Sequence, residues 1–177
     1  ADVNLVGCEF EARKKLDMVE AFKRFQVAGN LTLAWSRVEL TETDTAQGIQ
    51  GTAKNELYFP DESMHRPFQG QSPYVINLFL TYDNPDIGAD VSIFFNMFGK
   101  RMGELTDPDH PWIWEKPQPT LNVTASQSLG KHWSVKAKAS NILNSSKTQI
   151  HEYDGRELIT KLEQPGRGFS IGLSYRL

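Results

Sequence analysis

The sequence predicts an all-β chain, an antiparallel up-and-down meander of seven strands, on three observations. Apolar residues recur with period two in seven separate runs. The connections between those runs alternate between short and long. The last run, Gly166 to Leu177, sets Phe169, Ile171, Leu173, Tyr175 and Leu177 against Ser170, Gly172, Ser174 and Arg176, so one face is wholly apolar. That face carries neither the charge nor the proline with which soluble edge strands discourage pairing. A closing strand of a membrane β-barrel would look like this, and the other reading of the stretch is a terminal strand of a soluble sandwich.

The length of 177 residues suits one domain, or one with a small appendage. With 19 basic against 22 acidic residues, a net charge of −3 and no long run of either sign, the chain has no electrostatic footprint for nucleic acid. The single cysteine, Cys8, cannot form an internal disulfide and reads as an ordinary apolar strand position. No run approaches the roughly 18 apolar residues of a membrane helix, and the first residues lack the pattern of a signal peptide. A helical membrane protein is thereby excluded, whereas a barrel stays open because its strands need only alternate. The mean hydropathy of −0.46 suits a soluble domain and a barrel with a wet lumen equally.

In chain order, Val6, Cys8, Phe10 and Ala12 alternate with Gly7, Glu9, Glu11 and Arg13, a strand with one charged face. Lys14 to Arg24 is a short basic connection with room for one helical turn. From Phe25 to Ser36, Val27, Gly29, Leu31, Leu33 and Trp35 take one side of a long second strand. Leu40 to Ser72 has no sustained alternation and reads as a long surface loop. Tyr74, Ile76, Leu78, Leu80 and Tyr82 mark the third strand, closed by the turn Asp83-Asn84-Pro85-Asp86 with Gly88 beyond it. Ala89 to Arg101 is the fourth, with Phe94 and Phe98 as blemishes on its polar side. Gly103 to Gln118 is a second loop, and Leu121 to Ser126 the fifth strand. A tight turn at Leu129 to His132 leads to the sixth. Asp154-Gly155 is the strongest hairpin signal, so Trp133 to Tyr153 and Arg156 to Leu177 read as one tall hairpin with irregularities at Asn144-Ser145-Ser146 and Pro165-Gly166.

Connections that are short on one side and long on the other are the asymmetry of outer-membrane barrels, with short periplasmic turns and long external loops. Tyr82, Trp133 and Tyr175 then fall near the periplasmic ends of their strands, where an aromatic girdle belongs. Seven alternating strands would close with two parallel neighbours, and bacterial single-chain barrels have even strand numbers. The chain is therefore expected to be the terminal part of a larger barrel.

The residues resemble the C-terminal barrel segment of TonB-dependent outer-membrane receptors over nearly the whole chain. The resemblance is carried by FEARKKLD (Phe10 to Asp17), RPFQGQSPYVINL (Arg66 to Leu78), TYDNPDIG, NMFGKR (Asn96 to Arg101), TASQSLGKHW (Thr124 to Trp133), KASNILN (Lys138 to Asn144) and the closing PGRGFSIGLSYRL. It implies the C-terminal seven strands of a transmembrane barrel of about 22 strands with a plugged lumen, in the bacterial outer membrane. It also implies a receptor for transport of a scarce nutrient such as a ferric siderophore, cobalamin or an oligosaccharide. The partners implied are outer-membrane lipid, a small-molecule ligand, and the TonB energy-transducing complex through an upstream plug domain. Nothing here matches the plug or the TonB box, so this chain alone is expected not to transport. The final Leu177 departs from the family, which favours a terminal aromatic.

No enzyme, cofactor or metal site is expected. His65, His110, His132 and His151 are scattered over loops and turns without a pair at metal-ligand spacing, and there is no nucleophile elbow or phosphate-cradling glycine loop. Glu9, Glu11, Arg13, Lys136, Lys138 and Arg176 are expected to face the lumen as a polar ladder against the plug, with a substrate path as the second reading. Ligand contact is placed on the external loops: Tyr58, Phe59, His65, Arg66 and Phe68 in the first, and His110, Trp112 and Trp114 in the second. Within the first, the prolines and glycine of the Pro-Phe-Gln-Gly-Gln-Ser-Pro string after Arg66 suit a fixed backbone path, and the string resembles the family's feature where a loop re-enters the barrel rim, so a structural role is expected there. Two other function classes stay open: a soluble β-sandwich or lipocalin-like binding module, and an outer-membrane enzyme on a smaller barrel.

Overall fold

The computed structural model describes residues 2–39, 65–105, 112–153 and 155–177. Seven long strands form one antiparallel sheet: β1 (Asp2–Lys15), β2 (Phe25–Glu39), β4 (Tyr74–Asn84), β5 (Ala89–Phe98), β8 (Thr120–Leu129), β9 (Trp133–Ser140) and β12 (Gly168–Tyr175). They lie side by side in chain order, with the two-residue β3 (His65–Arg66) added to the end of β2. A second sheet has the order β11 (Arg156–Glu163), β10 (Lys147–Tyr153), β7 (Ile113–Glu115), β6 (Arg101–Glu104). That order repeats β12, β9, β8, β5, so each short strand prolongs a long one across a break in the ladder. The chain is all-β and antiparallel, as expected, and its strands form no closed barrel among the described residues.

Period-two alternation and pairing register act together. Val27 of β2 faces Leu80 of β4, Leu80 faces Ile93 of β5, Ile93 faces Val123 of β8, Val123 faces Ala139 of β9, and Ala139 faces Phe169 of β12. One residue along, Gln26, Thr81, Ser92, Thr124, Lys138 and Ser170 make the matching polar row on the other face. A slip of one residue in any of these strands would swap its faces, so the rows bind the register of the six together.

The apolar rows are not covered. Ile171 is 82% exposed, Phe169 75% and Val6 66%, and the buried hydrophobic residues among those described are Val38, Met102 and Ile150. The aromatics expected at the short-turn end are there: Trp133 packs on Tyr175 with ring centroids 4.8 Å apart, and Phe25 on Tyr82 at 5.0 Å. The first connection contains the expected single turn, a 3-10 helix at Glu20–Phe22.

Several boundaries differ from expectation. The strand β4 runs through Asp83 and Asn84, because Asn84 still pairs with Ala89, and the turn is Pro85 to Gly88 with Gly88 at φ 67°. The fourth strand stops at Phe98, where Gly99 is pinned: its N–H donates to the Tyr74 carbonyl at 2.9 Å, and the Tyr74 ring lies where a Cβ would go. The second loop is partly strand, since Gly103 and Glu104 belong to β6 and Ile113 to Glu115 to β7, paired to each other and to β10. Runs of three or four residues are too short for a period of two to stand out, and their partners are distant in sequence.

The tall hairpin has its irregularities at residues 141–146 and 164–167. Asn141 (φ 50°), Asn144 (φ 55°) and Gly166 (φ 74°) are left-handed there, a region asparagine and glycine tolerate best. The Asn141 side chain holds the break together: Nδ2 donates to the carbonyls of Gly166 (2.8 Å) and Ser145 (3.1 Å), and Oδ1 accepts from the Ser145 N–H (3.0 Å). The backbone N–H of Asn141 donates to Oδ1 of Asn122 at 3.1 Å, which ties β8 to the same point. The motif KASNILN is thus centred on a structural asparagine. Tyr153 pairs with Arg156 around Gly155 at φ 68°, a two-residue hairpin as expected, while Asp154 lies outside the described residues.

Candidate functional site

The polar face of the main sheet carries a ladder of side-chain amides. Asn96 Nδ2 donates to Oδ1 of Asn77 at 2.7 Å, Asn77 Nδ2 to Oδ1 of Asn30 at 2.7 Å, and Asn30 Nδ2 reaches Oε1 of Glu9 at 3.5 Å. Four adjacent strands are linked this way because Asn30, Asn77 and Asn96 are directly opposite in the pairing register. The sequence shows each asparagine but not their alignment. Beside the ladder, Phe79 stacks on Phe94 with centroids 4.7 Å apart and planes at 27°. The pair explains one blemish in the alternation, since two rings shelter each other on an otherwise polar face.

Glu9, Glu11 and Arg13 share this face of β1, with Arg13 3.9 Å from Glu11. Lys136 and Lys138 of β9 share it as well, facing Ser126 and Thr124 on one side and Gly172 and Ser170 on the other. Arg176 follows β12; its N–H donates to the His132 carbonyl at 2.8 Å, so the register that puts Tyr175 beside Trp133 carries on to the chain's penultimate residue. The pairing register thus puts Glu9, Glu11, Arg13, Lys136 and Lys138 on one side of the sheet, the side of the amide ladder.

The loop candidates separate. Tyr58, Phe59 and His110 lie outside the described residues. His65 and Arg66 are in β3, opposite Glu39 and Val38, and the His65 ring is held by the Arg37 guanidinium, whose Nη2 is 3.2 Å from Nδ1. Phe68 is exposed, with its N–H donating to Ser36 Oγ at 2.9 Å. Residues 69–73 run between β2 and β6 on fixed anchors: Gly70 N–H to the Met102 carbonyl (2.8 Å), Gln69 Nε2 to the Gly103 carbonyl (3.0 Å), and Ala34 N–H to the Pro73 carbonyl (3.0 Å). Ser72 is buried, and its hydroxyl bonds the carbonyls of Tyr74 (2.8 Å) and Gly99 (3.0 Å). This segment has the fixed path its prolines and glycine predict.

Trp112 precedes β7 and Trp114 sits inside it, between Met102 and Ile150. Lys100 Nζ is 4.8 Å from the centroid of the Trp114 ring, and the same lysine pairs with Glu152. Trp114 is expected on a loop and found as a packed strand residue holding a cation, so the two tryptophans do not form one exposed pair.

Sequence reading misses a cavity of about 330 Å³ in the second sheet. Arg101, Glu115, Gln149 and Lys161 form one cross-strand row along it, and Lys147 stands opposite Glu163 in another. Phe98, the second blemish, is among its lining residues, with the Arg101 guanidinium 4.4 Å from its ring centroid. Arg101 Nε donates to Glu115 at 2.6 Å, and Lys161 Nζ to Glu163 at 2.7 Å. The Lys161 hydrogen bond holds the Glu163 carboxyl below the usual carboxylate range, and Glu163 holds the Lys161 ammonium above the usual lysine value. No sequence signal could have found the cavity, because its cations are brought together only by the pairing of β6, β7, β10 and β11.

Among the described residues, no group of three His, Cys, Asp or Glu side chains comes together as a metal site. Against models of known families, characterised proteins and solved structures, the chain finds no match.

Proposed function

We propose that this chain is the C-terminal part of the barrel of a TonB-dependent outer-membrane receptor, seven strands of about 22, serving active uptake of a scarce nutrient. The observation that carries the reading is the apolar face: it is continuous in register over the six strands β2 to β12 of the main sheet, extends onto β1 through Val6, Cys8 and Phe10, and is open to its surroundings. Moving each such Leu, Ile or Phe out of water is worth about 1.5–3 kcal/mol. A handful of them equals the whole stability of an ordinary domain, about 5–15 kcal/mol, so the face belongs against lipid hydrocarbon. The opposite face, with its amide ladder and charges, suits a wet or plugged interior.

The strands β1 and β12 point the same way and each has one sheet neighbour among the described residues. Upstream barrel strands would supply both missing neighbours. In that arrangement the breaks at 99–100, 116–119, 141–146 and 164–167 mark the level where the wall leaves the membrane, and the second sheet stands outside it. Trp133, Tyr175, Phe25 and Tyr82 mark the opposite, periplasmic boundary. A soluble sandwich finds less support, because it would need a layer over the apolar face, whereas the second sheet prolongs the first in the same strand order.

Detergent phase partitioning tests the reading. The folded chain is expected in the detergent-rich phase and to need detergent for its β-sheet circular dichroism. A folded monomer in buffer alone would sink the proposal.

A further inference from the structure

We infer that the cavity between β6, β7, β10 and β11 is a binding site for a small polyanion bearing carboxylate or phosphate oxygens. Four cations line it, Arg101, Lys116, Lys147 and Lys161, against the carboxylates of Glu115 and Glu163 in the lining and of Glu157, which holds Lys116 from outside it, a surplus of one positive charge. The whole chain carries −3, so this is a local reversal of sign.

The pairing within the wall shows which cation is left over. Arg101 is held by Glu115, Lys161 by Glu163, and Lys116 by Glu157 at 2.5 Å. Lys147 has no ion-pair partner among the described residues, although it is directly opposite Glu163 in the register. Lysine 147 is therefore the principal charge offered to a ligand, and the paired cations add fixed donors around it. Gln118, Thr148 and Gln149 supply neutral polar groups to the same lining. Phe98 adds an apolar side chain to the polar lining, beside the Arg101 guanidinium, a contact for a short carbon skeleton that favours a polycarboxylate over a bare inorganic ion. The cavity volume lies at the lower end of small-ligand pockets, about 300–1,000 Å³.

This inference rests on the receptor reading only for the side from which the ligand arrives. A chain that partitions into water could still bind the anion, and a chain that partitions into detergent could still fail to, so the two tests separate.

The experiment is calorimetric titration of the full chain in detergent at pH 7 and low ionic strength. Tricarballylate, a tricarboxylate, is one probe and pyrophosphate the other. Saturable 1:1 binding of tricarballylate is expected, weakened about fivefold by Lys147→Gln and restored by Lys147→Arg. Lys131→Gln, in the turn at the far end of the sheet, should leave it unchanged. Binding of pyrophosphate alone, with the same response to the Lys147 variants, would keep the site and assign it to phosphate. No saturable binding of either probe, or equal binding by the Lys147→Gln chain, would overturn the inference. Lys147→Gln breaks no ion pair, so unaltered sheet circular dichroism is expected, and loss of that signal would show Lys147 to be structural and overturn the inference too.

Discussion

Asn77 donates its side-chain N–H to Asn30 across 2.7 Å, at the centre of a run of amides that joins β5, β4 and β2 and ends at Glu9 of β1. Asn77 and Asn30 each donate to one neighbour and accept from the other, so the run that starts at Asn96 is directional and finishes on a carboxylate. Removing the middle member orphans an acceptor on Asn30 and a donor on Asn96. Asn77→Ala is expected to destabilise the sheet by about 1–2 kcal/mol, since the groups are half-buried and water can partly replace the bonds. Urea unfolding in detergent checks this, with Asn122→Ala, at the Asn141 break, as a comparison outside the ladder.

Asn141 combines a left-handed backbone with bonds to three segments. Asn141→Ala is expected to cost about 2–4 kcal/mol, from backbone strain plus the lost side-chain bonds. Asn141→Gly removes the bonds but not the backbone freedom, and should cost less. Hydrogen exchange of residues 142–147 and 165–168 would rise in both; protection unchanged from the native chain would count against this role.

Substitution on the two faces of β12 separates the lipid face from the interior. Ile171→Lys is expected to destabilise the protein in bilayers by about 2–4 kcal/mol, and Ser170→Lys, one residue away, by much less. Equal effects in a denaturant titration of the lipid-embedded chain would contradict the face assignment.

Glu163 and Lys161 are 2.7 Å apart on β11, and each favours the other's charged form. The Glu163 carboxyl is lowered, so its contribution is complete above the unfolded carboxylate pKa and is lost as pH falls through the lower folded value. The Lys161 ammonium is raised, so its contribution is complete below the unfolded lysine pKa and disappears as pH rises through the higher folded one. Carbon-detected NMR should show Glu163 titrating below an ordinary glutamate, and Lys161→Met should return it toward the ordinary value. An unmoved midpoint would show that Lys161 is not the cause.

Much of the fold was legible because strand pattern is local. The alternation of Phe169, Ile171, Leu173 and Tyr175 gives strand and face without knowledge of any partner, and Asp154-Gly155 marks the hairpin by backbone preference alone. The candidate site was less legible. Trp114 was expected on a loop because β7 is three residues long, and Lys147 stood out by nothing in its own neighbourhood.

By itself the sequence determined the seven strands, their order and the chemistry of each face, since side-chain alternation and turn residues act over a few positions. Only the tertiary structure decided which residues meet across strands. Pairing register lined up Asn30, Asn77 and Asn96, stacked Phe79 on Phe94, and gathered Arg101, Lys116, Lys147 and Lys161 around one cavity. Those contacts join positions tens of residues apart, and it is the shared ladder of backbone hydrogen bonds, cumulative over seven strands, that sets them.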